Sequence, residues 1–174
     1  PAGIANAGDE GPYVLPFRAV TILLNKSHPI SAGELRLASA DPKVAPQIEC
    51  RILDSEEDVK TLLDGIKTVR RIMNSSPIAQ MVESEAWPGS ECTDDGSIVE
   101  FIRAKAGIAY HPAGTCRMGM DDEAVVAPDL SVNGIENLWV ADASIMPDLI
   151  SGNTNAVCMV IGEKLGRMLI NNSV

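Results

Sequence analysis

The sequence has 174 residues, 45% of them hydrophobic and 22% charged, with a mean hydropathy of +0.07. That much apolar side chain excludes disorder as a description of the whole chain, and surface scaling allows roughly 70% of the unfolded surface to be buried. Lys and Arg number 14 against 24 Asp and Glu, and the resulting charge of −10 repels phosphate backbones and argues against nucleic-acid binding.

Residues 1–12, rich in Gly, Ala and acidic side chains, read as a loop or frayed end. Residues 17–24 mix aromatic and β-branched side chains and predict a strand. A turn follows at 25–33, with Asn25, Pro29 and Gly33. Leu35 and Leu37 alternate with polar neighbours and predict a second strand, stopped by Asp41-Pro42. Ile48, Cys50 and Ile52 predict a third. The three are expected in one mostly antiparallel sheet, half covered by helices, which makes the fold class α+β.

Ser55 opens the clearest helix. Ser55 with Asp58 matches a capping box, and Glu56 and Glu57 favour a helix N-terminus. Val59, Leu62, Leu63, Ile66, Val69 and Ile72 form one apolar stripe, and residues 74–77 end it. A further turn is expected over 78–84 and a shorter helix over 98–106. The C-terminal third is Gly- and Pro-punctuated from 107 to 119. A short buried strand is expected at 138–141, a loop at 142–154 and a last helix at 155–170.

The sequence opens Pro-Ala-Gly, without an initiator Met or a signal-peptide pattern, which fits a processed or separated piece of a longer protein. No apolar run approaches bilayer length. A cytoplasmic location is expected, with peripheral membrane association of a larger protein left open. Cys50 and Cys158 lie in apolar runs and read as buried thiols. With two His, neither at ligand spacing to a Cys, no metal site is expected.

Three segments carry candidate chemistry. His111 precedes Pro112 and is flanked by Gly107 and Gly114, so its ring sits on a constrained extended backbone. Imidazole both gives and takes protons near neutral pH. A core or capping His is the blander reading and the commoner one. In Ser151-Gly-Asn-Thr-Asn155, either Asn153 or Thr154 suits an N-cap, and a helix N-terminus also suits negative charge. Asp142, after an apolar run, is either a turn residue or the acidic edge of a ligand crevice. His28 reads as a turn residue with no assigned role.

Taken together, His111-Pro-Ala-Gly-Thr, Trp139-Val-Ala-Asp142-Ala-Ser-Ile-Met-Pro147 and Gly152-Asn-Thr-Asn155 with Ile161-Gly-Glu-Lys164 resemble the C-terminal signatures of the glucose–methanol–choline oxidoreductases, the choline dehydrogenase branch in particular. Upstream, His28-Pro-Ile-Ser-Ala-Gly33 and Leu35-Arg-Leu-Ala-Ser-Ala-Asp-Pro42 resemble the family's substrate-domain motif, with Ala32 where many members carry Arg. The resemblance implies the C-terminal part of an FAD-dependent alcohol oxidoreductase. Residues 13–137 would belong to the substrate-binding domain. Residues 138–174 would be a strand and helix returning to the FAD-binding domain, whose Gly-rich motif this sequence lacks.

The resemblance makes His111 the base and Asn155 a hydrogen-bond partner of the same alcohol oxygen. Tyr110, Asn153, Asn155 and Ala156 would lie against the flavin, and Asp142 and Ala143 against its ribityl–pyrophosphate portion. The implied partners are a small alcohol and the N-terminal FAD-binding portion of the same protein. A second copy is a further candidate partner for 138–170. Alternatives are a hydroxynitrile lyase type, with a structural flavin, and a non-catalytic scaffold domain.

Overall fold

The computed structural model describes residues 2–6 and 12–171. They form two compact units. One comprises the chain up to Lys26, Ile30–Ala32 and Arg51–Gly107. The other comprises Ser27–Pro29, Gly33–Cys50 and the chain from Ile108 onward. Among the described residues no helix is long and apolar enough to cross a membrane.

In the first unit, β1 (Ala2–Asn6) pairs antiparallel with β2 (Pro12–Arg18), with a register shift between Ala2 and Ile4. The start of the chain is therefore paired strand where a loop was expected. The strand expected over 17–24 ends at Arg18. Beyond it Val20 is 81% and Leu23 69% exposed. Aromatic and β-branched residues favour a half-buried pleated surface, and among the described residues no partner strand supplies one.

Helix α1 (Glu56–Met73) begins at Ser55, whose hydroxyl accepts from the Glu57 N–H at 3.3 Å. Its first turn carries Glu56, Glu57 and Asp58 and its last Arg70 and Arg71, as the helix dipole favours. The capping box does not close. Asp58 is 2% exposed and instead accepts from the Ile30 N–H (3.0 Å), the Ser31 N–H (2.8 Å) and the Ser31 hydroxyl (2.6 Å). Lys26 lies 3.7 Å away. The Ser55 N–H, which the box would have given to Asp58, goes to Ser31 Oγ at 2.9 Å. Burial alone would raise the Asp58 carboxyl, but the Ser31 hydroxyl, the two amides and Lys26 bring it below its ordinary value.

Asn74 ends α1, its side-chain amide donating to the Arg70 carbonyl at 2.9 Å. A 3-10 turn follows at Ile78–Met81. Helix α2 (Asp95–Lys105) is capped by Asp94, which accepts from the Ser97 N–H at 3.0 Å. Helix α1 lies against α2, and Val59, Ile98 and Ile102 are buried there. The ion pairs Lys67–Asp95 and Arg103–Glu56 join the two segments on the surface. Exposed pairs of this kind contribute at most about 1 kcal/mol each.

In the second unit, β3 (Glu34–Arg36) pairs antiparallel with β4 (Gln47–Glu49), Leu35 opposite Ile48. A Cβ at Gly33 would sit 2.0 Å from the Glu49 carbonyl oxygen, so only glycine allows this entry into β3. The expected three-stranded sheet is corrected: the described strands form two separate two-stranded ladders. Leu35 and Ile48 remain 47% and 65% exposed, and Cys50 is an exposed rather than a buried thiol. Cys158 is half-buried.

Residues 118–140 are held by single bridges, Met118 with Val126, Val126 with Val132 and Ser131 with Trp139. The strand expected at 138–141 is reduced to the Trp139 bridge and two flanking bonds, Val132 N–H to Leu138 C=O and Val140 N–H to Leu130 C=O. Arg117 forks onto Asp121 at 2.9 and 2.6 Å, and this guanidinium holds the Asp121 carboxyl down to about 2. The core here is Val126, Leu130 and Ile145, packed by Trp139, Val140 and two residues of α3 (Asn155–Asn171), Ile161 and Leu165. One stripe of α3 is thereby fixed against the bridged segment, which sets where its N-terminus lies.

Candidate active site

The site is built in the second unit from three segments, the first of them well separated in sequence from the other two. The first is the loop after Ile108. Tyr110 has φ +60° and is 78% exposed, and Gly114 has φ +88°, a backbone conformation that glycine adopts without strain. The loop then runs beside the 3-10 turn Ala143–Ile145. Gly114 N–H donates to the Ala143 carbonyl at 3.4 Å, Cys116 N–H to Ser144 at 2.9 Å and Met118 N–H to Ile145 at 2.8 Å.

The second segment is that turn and its cap. Asp142 accepts from the Ser144 N–H at 2.8 Å and from the Ser144 hydroxyl at 2.5 Å. The hydroxyl and then the amide of Ser144 hold the Asp142 carboxyl below its ordinary value, so it is an anion at neutral pH. One carboxylate oxygen is committed to the turn. Asp142 is exposed.

The third segment is the start of α3. Thr154 is buried, and its carbonyl accepts the first helical bond, from the Cys158 N–H at 2.9 Å. Thr154 is thus the N-cap, but its hydroxyl does not serve the helix. It lies 3.0 Å from His111 Nδ1. That bond joins the Gly- and Pro-constrained loop to the helix start across 43 residues, and Nε2 has no partner among the described residues. Asn155, next in sequence, is exposed, as are Asn153 and Ala156.

The sequence motifs are therefore brought together in part. His111 meets the residue before Asn155, and Gly114 meets Ala143. No hydrogen bond joins the side chains of Tyr110, Asn153 or Asn155 to other described residues. Thr154 is the residue that sequence reasoning under-read. It was a cap candidate, but its service to His111 is a contact between distant segments with no local signal. His28, read as a turn residue, also makes a specific contact: its Nε2 lies 2.7 Å from Ser151 Oγ.

A family model described as GMC oxidoreductase matches residues 29–162. The chain belongs to the GMC oxidoreductase family. It is 44% identical over 142 residues to an alcohol dehydrogenase (acceptor) of Pseudomonas putida, covering 82% of this chain and 26% of that protein. It is 43% identical over 139 residues to an oxygen-dependent choline dehydrogenase of Escherichia coli O127:H6, covering 80% and 25%. Among solved structures, an FAD-dependent oxidoreductase from Chaetomium thermophilum matches with a TM-score of 0.78 at 28% identity, over 84% of this chain and 26% of that one. The chain thus spans about a quarter of the length of the curated relatives it matches.

The donor set fits one end of an FAD. The first-turn N–H groups of α3 have no helical acceptors, and the exposed amides of Asn153 and Asn155 flank them. Such a cluster suits the carbonyl-rich edge of a flavin ring. An anionic Asp142 suits a ribityl hydroxyl donor better than a pyrophosphate.

Proposed function

We propose that this chain is the C-terminal portion of an FAD-dependent alcohol oxidoreductase, with residues 13–137 contributing to its substrate-binding domain and 138–174 to its FAD-binding domain. The flavin, when bound, accepts the hydride equivalent from the alcohol carbon. His111 takes the hydroxyl proton at Nε2. With a proton on Nδ1 donated to Thr154 Oγ1, the ring is held in the tautomer that leaves the Nε2 lone pair free. Asn155 donates its side-chain amide to the same substrate oxygen, so base and donor converge on the atom where negative charge develops.

Tyr110, Asn153 and Ala156 line the flavin side. Asp142, with Ala143, receives the ribityl portion through its free carboxylate oxygen. The segment from Gly152 to Asn155 therefore carries both flavin and substrate contacts. Its anchoring to His111 ties the two functions together.

The observation that supports this reading is the bond from His111 to Thr154, the residue before Asn155 at the start of α3. The experiment is a panel of small alcohols offered without oxygen to the full-length enzyme, with flavin bleaching followed. Bleaching by at least one alcohol supports the reading. Bound flavin that no alcohol reduces, together with cleavage of a cyanohydrin, would assign the lyase chemistry instead.

A further inference from the structure

The chain has two histidines, and both hydrogen-bond hydroxyls of the same connection. Residues 147–154 join the 3-10 turn to α3. Among the described residues, the side-chain bonds to this connection are His111 Nδ1 to Thr154 Oγ1 and His28 Nε2 to Ser151 Oγ. The two anchors stand three residues apart. Between them lies Gly152, around which a Cβ would meet nothing within 4 Å. Asn153 is exposed. Packing therefore does little to fix residues 151–153, which are exposed, while Thr154 beyond them is buried; the two histidine bonds stand at the ends of this stretch. Ser27–Pro29 belongs to the same compact unit as this connection, apart from its immediate neighbours in sequence.

We infer that His28 is a positioning residue. By holding Ser151 it restricts the approach to α3, so that Thr154 presents its hydroxyl to His111 and Asn155 stands in a fixed place. His28 touches none of the reacting atoms. Without its bond the connection gains backbone freedom, Thr154 visits other orientations, and the His111 ring samples both tautomers. The functional consequence rests on the proposed role of His111, but the positioning itself does not.

The test uses the full-length protein and needs no alcohol. His28→Ala, Ser151→Ala, the double variant and His28→Gln are compared. Gln keeps a side-chain group able to donate to or accept from Ser151. One readout is hydrogen exchange of the Cys158 amide, the first hydrogen-bonded amide of α3, with the Val140 amide as a remote reference. The other is the His111 tautomer from ring nitrogen NMR at fixed pH.

Both single Ala variants are expected to speed Cys158 exchange by about two- to tenfold, the range one hydrogen bond supplies. Val140 stays unchanged, and the His111 ring shifts toward a mixture of tautomers. The double variant adds nothing beyond either single, and His28→Gln restores both signals. Two results would overturn the inference: Cys158 exchange and His111 tautomer unchanged in every variant, or equal acceleration at Cys158 and Val140. Failure of the oxidoreductase reading would show separately, as a bound flavin that no alcohol reduces.

Discussion

His111 Nδ1 and Thr154 Oγ1 stand 3.0 Å apart, and through that bond the N-cap of a 17-residue helix orients an imidazole instead of its own first turn. A cap hydroxyl ordinarily accepts from the second or third helical N–H. Giving that up leaves the helix start under-satisfied and open to a ligand. The relationship thus links an unusual cap to an imidazole whose Nε2 has no partner among the described residues.

Thr154→Val tests that link. It keeps the side chain's shape and removes the hydroxyl. Because the hydroxyl serves no helical N–H, melting temperature should change little. In the full-length enzyme, flavin reduction should slow by about two- to tenfold, the worth of one hydrogen bond, and Thr154→Ser should restore it. Stopped-flow reduction alongside thermal melting checks both halves. A variant that melts early but reduces at the wild-type rate would return Thr154 to a purely capping role.

Asn155→Ala should separate substrate contact from stability. The residue is exposed and is not the N-cap, so the expected stability change lies within about 0.5 kcal/mol. Flavin reduction should nonetheless fall. Asn153→Ala should act mainly on flavin content after purification. Measuring flavin absorbance per protein, melting and reduction rate on the same samples distinguishes the two asparagines.

The helices were legible in the sequence, and the ladders and the key contacts were less so. The stripe from Val59 to Ile72 has one period and one face, and both ends carry local signals at Ser55 and Asn74. Pairing partners carry no such signal. Residues 17–24 predict a strand, yet β2 ends at Arg18 and pairs with a segment whose composition marks it as a loop. Asp58 was read as half of a capping box because its spacing fits. A tertiary contact 27 residues away displaced that local option. His111 was legible as a constrained imidazole, while its partner Thr154 was not, since 43 residues separate them. Packing of α3 through Ile161 and Leu165 fixes the helix whose start meets His111, a relation that no local motif encodes.

Asp58 gives a pH prediction. Its folded-state carboxyl titrates below its ordinary value, so the unfolded chain binds its proton first as pH falls. Its stabilising contribution is therefore full above the unfolded value of about 3.9 and is lost as pH drops through that value toward the folded one. Asp58→Asn should destabilise by about 1–3 kcal/mol at neutral pH and flatten the acid limb of stability. Urea melts at a series of pH values measure it. An unaltered acid limb in the variant would remove Asp58 from the account.

The 174-residue chain should bind FAD weakly. Dinucleotide pyrophosphates are held by a Gly-rich turn and the helix N-terminus that follows it, and this sequence has no such motif. In the proposed arrangement the α3 donors and Asp142 would reach only the flavin and ribityl end, and losing the remaining contacts forfeits most of the affinity while the ordering cost persists. Titration read by the fluorescence of Trp139 should show no saturation at micromolar FAD. Saturation there would mean that the site near α3 holds the cofactor without an N-terminal portion.

The central claim, that His111 is the base, is tested most directly by His111→Ala in the full-length enzyme, with anaerobic stopped-flow reduction of the flavin by a saturating alcohol. The account predicts a reduction rate lower by about 10²–10⁴, the usual worth of a positioned general base, with flavin content retained. A rate within threefold of the wild type would contradict it.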